Sequence, residues 1–86
     1  MKEREQLIEE LEKAKQALRN AETNIDMIDD ALGIWKTALI DEVPMELRDG
    51  IETLWHQRSV LWFQRLKLMD LIQQSELLLK IGEQLL

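Results

Sequence analysis

Apolar residues recur at Leu7, Leu11, Ala14, Leu18, Ala21, Ile25, Ile28, Leu32, Trp35 and Leu39, in alternating steps of four and three. On a helix this spacing brings the side chains into one continuous seam, the repeat of a coiled coil. It predicts a first helix over about residues 2–40. Strong helix formers fill Lys2 to Glu12, and Glu3, Glu5, Glu9 and Glu10 favour the positive end of the helix dipole. Gly33 falls inside the pattern, and because the seam continues through Trp35 and Leu39 it is read as interior to the helix.

Asp41-Glu42-Val43-Pro44 breaks the pattern. Proline cannot sit in a helix interior, and it pushes the residue before it toward extended backbone. A loop at about 41–43 followed by a second helix over about 44–84 implies antiparallel packing. The second seam runs through Leu47, Ile51, Leu54, Arg58, Leu61, Arg65, Leu68, Ile72, Ser75 and Leu79. Folding the chain at the loop sets Leu39 against Leu47, Trp35 against Ile51, Leu32 against Leu54 and Ile25 against Leu61. The fold class that follows is all-α, an antiparallel helical hairpin making a single domain over 1–86.

Arg58 and Arg65 interrupt the second seam. The same register sets them beside Asp29 and Glu22, which flank the first seam. The expectation is two structural ion pairs, Arg58–Asp29 and Arg65–Glu22, whose alkyl stems cover the seam.

More apolar surface is present than one hairpin buries. Trp55, Trp62, Leu66 and Met69 form a stripe beside the second seam, and Leu78, Ile81 and Leu85 cluster on nearly the opposite side beyond Gln73-Gln74-Ser75-Glu76. Supercoil drift of about 20° per heptad does not produce such a change of face, so the reading allows a kink near 73–76 or a different neighbour for the last turns. These seven residues are the candidate partner-binding set. Two helices form a ribbon rather than a core, and a four-helix bundle completed by a homodimer or by another helical protein solves the packing.

The net charge of −6 is concentrated in the middle of the chain. Residues 22–52 carry nine acids against Lys36 and Arg48, a net of −7, whereas residues 1–21 carry five acids and five bases. An acidic pole argues against a phosphate-backbone ligand, so no nucleic-acid partner is expected. No apolar run is long enough for a membrane span. The charged Met-Lys-Glu-Arg-Glu start has no apolar segment behind it, so the expected location is cytoplasmic.

Catalytic and metal chemistry are not expected. Cysteine is absent, and the single histidine, His56, stands with Glu52 away from the seam. There is no glycine-rich phosphate loop, and no cofactor is implied. Ile25-Asp26-Met27-Ile28-Asp29 resembles the Ile-Asp-x-Ile-Asp of helical chorismate mutases, but Leu39 stands where that family carries its essential arginine. Trp35-Lys36-Thr37 lacks the glycine of the small secreted Trp-x-Gly hairpins, and the basic outer face of Rop-like RNA-binding hairpins is missing. The sequence therefore reads as a non-enzymatic protein–protein interaction module, such as a small adaptor, chaperone, regulator or inhibitor. An engineered helical bundle or binder is one alternative, and an enzyme whose site forms across an oligomer is the other.

Overall fold

The computed structural model describes residues 2–85, and among them there is no strand. Helix α1 spans Lys2–Leu32 and helix α2 spans Arg48–Leu85. They are joined by three short 3₁₀ turns at Gly33–Thr37, Ile40–Glu42 and Met45–Leu47. The helices pack antiparallel: Arg4 pairs with Glu83 at one end of the molecule and Arg58 pairs with Asp29 toward the other. The result is a rod of 62 × 16 × 15 Å. A helix of α2's length rises about 57 Å, so α2 spans nearly the whole rod.

The buried positions trace the two seams. On α1, Leu11, Ala14, Ala21, Ile25 and Leu32 are buried, with Leu7, Leu18 and Ile28 half-buried between them. On α2, Ile51 and Ser75 are buried, and Leu54, Arg58, Leu61, Arg65, Leu68, Ile72 and Leu79 are half-buried. The tightest packing lies at the linker end. Leu32 and Val43, each 1% exposed, meet Ile51 there, and Ile28, Trp35, Ala38, Leu54 and Trp55 pack around them.

The first helix stops eight residues earlier than its periodicity predicts. Gly33 adopts φ +55°, the left-handed conformation that ends helices and that glycine enters without a Cβ penalty. The apolar spacing holds only as far as Trp35: the 3₁₀ turn at Gly33–Thr37 keeps Trp35 and then Ala38 on the core side, and Leu39, the next residue of the pattern, is left exposed.

The far end of the expected seam pairing is also revised. Leu39 and Leu47 are 65% and 47% exposed rather than facing each other, and Val43 fills the space between α1 and α2. Pro44 does not start the long helix. It precedes the turn at Met45–Leu47, and α2 begins at Arg48. The Arg48 guanidinium then reaches back, its Nε donating to the Val43 carbonyl at 2.9 Å. Helix α2 continues without interruption through Gln73–Glu76, so the change of apolar face there involves no break.

Candidate interaction surface

The ion pairs across the seam organise one broad face of the rod. Arg58 Nε donates to Asp29 Oδ1 at 2.5 Å, and Lys36 Nζ lies 3.4 Å from the other carboxylate oxygen. One heptad along, Arg65 Nε stands 3.8 Å from Glu22 Oε2. The hydrogen bond from Arg58 holds the Asp29 carboxyl below its ordinary value. Partial burial opposes this, and Lys36 adds to the lowering. These carboxylates occupy both arginines from within the chain.

Trp62 sits between the two arginines on α2. The Arg65 and Arg58 guanidinium carbons lie 4.9 and 5.6 Å from its ring centroid, within cation–π range. The ring, with both guanidinium groups against it, remains 37% exposed. Arg58, Ser59, Trp62, Phe63 and Leu66 line one shallow hollow, and Leu66 and Met69 help line the next, with Leu18, Ile72, Gln73 and Glu76. Leu66 is shared by both.

The seven partner-binding candidates divide into three groups. Trp62, Leu66, Met69, Leu78 and Ile81 are exposed, with Leu78 and Ile81 on the side away from Trp62. Trp55 is turned inward instead. It packs on the Leu32–Val43–Ile51 cluster, and its indole N–H donates to the Trp35 carbonyl at 3.1 Å. It is a structural residue, because ending α1 at Gly33 brings the Trp35 carbonyl within its reach. The Leu85 side chain lies outside the described residues.

Phe63, which the spacing places among the surplus apolar residues off the seam but outside the candidate set, is 67% exposed beside Trp62. Sequence reasoning passed over Arg48 as the linker clamp. A cation just after a proline turn, close to the free carbonyls of that turn, was the available signal.

Exposed apolar residues are distributed unequally between the helices. On α1 the large ones are Ile8 and Met27. On α2 they are Val60, Trp62, Phe63, Leu66, Met69, Leu71, Leu77, Leu78 and Ile81. Helix α1 thus keeps most of its apolar residues on one stripe, whereas α2 exposes apolar residues beyond its seam on two further sides, interspersed with polar ones.

Among the described residues no three His, Cys, Asp or Glu side chains converge on a point that could hold a metal ion, and no helix is long and apolar enough to cross a membrane. His56 is exposed and lines an open groove with Asn24, Met27 and Gln57. The chain matches no family model, no curated protein and no solved structure.

Proposed function

We propose that the chain is a cytoplasmic, non-enzymatic protein–protein interaction module: a helical hairpin that offers α2 to another helical surface. The observation that carries this reading is the contrast between the helices. One face of α2 is covered by α1, and its remaining faces expose Trp62, Phe63, Leu66 and Met69 on one side and Leu71, Leu78 and Ile81 on the other. Apolar area left in water is unfavourable by about 25 cal/mol per Å², and aromatic residues with methionine are what interface centres favour. The arginines support the same reading, since they bind carboxylates of their own chain and hold Trp62 in place rather than facing an open pocket. The acidic residues around the linker disfavour a nucleic-acid partner.

The test compares the native chain with Leu66→Glu and Leu78→Glu by sedimentation, alone and in extract of the source cell. The expected result is an association that one or both substitutions abolish while helix content by circular dichroism is unchanged. A chain that binds nothing, with both variants sedimenting as it does, would overturn the proposal.

A further inference from the structure

The chain exposes more surface than a folded monomer of its mass. Its accessible area is 6827 Å². A compact monomer of 10.2 kDa exposes about 5,300 Å². The difference, about 1,500 Å², falls in the range of roughly 1,000–2,500 Å² that each chain contributes to an obligate dimer.

The residues along one line of α2 show what covers it. Glu52, Ser59, Leu66, Gln73 and Lys80 follow one another at every seventh position, so they share a stripe, and all five are exposed. Trp62 and Met69 flank this stripe on one side and Phe63 on the other. The stripe reads acid, small polar, leucine, polar, base. Turned end for end about Leu66, it meets its own complement: Leu66 on Leu66, Ser59 on Gln73 and Glu52 on Lys80. Laid parallel, it sets Glu52 on Glu52 and Lys80 on Lys80.

The distribution of net charge favours the same direction. Residues 22–52 carry −7 at the linker end, and residues 53–86 carry +1. An antiparallel pair keeps the two acidic ends apart and brings each beside the other chain's terminal half.

We infer that the partner of the α2 face is a second copy of this chain, docked α2 against antiparallel α2 about a two-fold axis near Leu66. This rests on the interaction reading above and names its occupant. The two α2 helices occupy the middle of a four-helix assembly, and the two charged α1 helices lie outside.

Sedimentation equilibrium of the full chain at about 100 µM tests it. The expected mass is twice that of one chain, and Leu66→Glu weakens the dimer at least about 100-fold with helix content retained. Glu52→Lys and Lys80→Glu each weaken it about five-fold, and the double variant restores it. Because the chain has no cysteine, Ser59→Cys mixed with Gln73→Cys should give the mixed disulfide, and neither variant should cross-link with itself.

A monomer at that concentration overturns the inference. So does self-cross-linking of Ser59→Cys, or a dimer broken by Leu78→Glu but not by Leu66→Glu. A monomer whose capture of some other protein still requires Leu66 would overturn the second copy while leaving the interaction reading intact. A monomer that captures nothing would overturn both.

Discussion

The indole N–H of Trp55 donates to the main-chain carbonyl of Trp35 at 3.1 Å, and the same oxygen accepts the backbone N–H of Ala38 at 3.3 Å. One atom therefore ties the turn after α1 both to itself and to α2. Trp55→Phe keeps the ring in the cluster and removes the donor. It should cost about 1 kcal/mol in chemical denaturation, and amide exchange at Ala38 should speed up relative to the middle of α2. Unchanged exchange at Ala38 would mean that the contact does not hold the linker.

Gly33 and Gly82 have opposite expected responses to alanine. A Cβ at either position would meet nothing within 4 Å, so only the backbone decides. Gly33 has φ +55°, and alanine there should destabilise by about 1–2 kcal/mol. Gly82 lies within α2, and alanine there should stabilise by up to about 1 kcal/mol. Thermal melts of the two variants give the signs directly.

Val43 and Leu39 exchange the roles that periodicity assigns them. Val43 is 1% exposed in the core cluster, so Val43→Ala should cost about 2 kcal/mol through lost burial and the cavity left behind. Leu39 is 65% exposed, and Leu39→Ala should fall within about 0.5 kcal/mol of the native chain. Urea midpoints for the pair would show which residue fills the linker end.

The Arg58–Asp29 pair should leave a signature on the acid side of the stability profile. The Asp29 carboxyl is held below its ordinary value, chiefly by the hydrogen bond from Arg58. Its folded pKa is then lower than its unfolded one, and the native state binds protons less readily there. The stabilisation is fully present above about pH 4 and is lost as pH falls through the folded value. Asp29→Asn should therefore lower the urea midpoint at pH 7, and the difference should shrink as pH falls below about 4. A constant difference between the variants across that window would show that the pair's charge contributes nothing.

Replacing both arginines by Met separates a structural role from a ligand site. Arg58→Met with Arg65→Met removes two ion pairs and both cations over Trp62. Trp62 fluorescence should shift and the melting temperature should change, each cation–π contact being worth about 0.5–1 kcal/mol where exposed. Unaltered emission and stability would assign the arginines to something other than holding this face.

The sequence by itself determined the side of each helix that is buried and the register between the helices. Steps of four and three leave one face for each helix, and a hairpin whose turn is confined to the residues around Val43 has few ways of laying two such faces together. The level positions Arg58 and Asp29, and Arg65 and Glu22, follow from that geometry alone, and the structure has both in contact. Where α1 ends was a tertiary decision. Gly33 inside a continuous apolar pattern is compatible with an interior helical glycine and with a left-handed stop. The stop is the form in which Trp35 and Ala38 close over Leu32, Val43 carries the bend into the core, and Trp55 finds an acceptor. The contacts that hold this form are not local: Ile51 against Leu32 and Val43, and Trp55 against the Trp35 carbonyl, bring in residues of α2 and exist only once α2 has packed against α1.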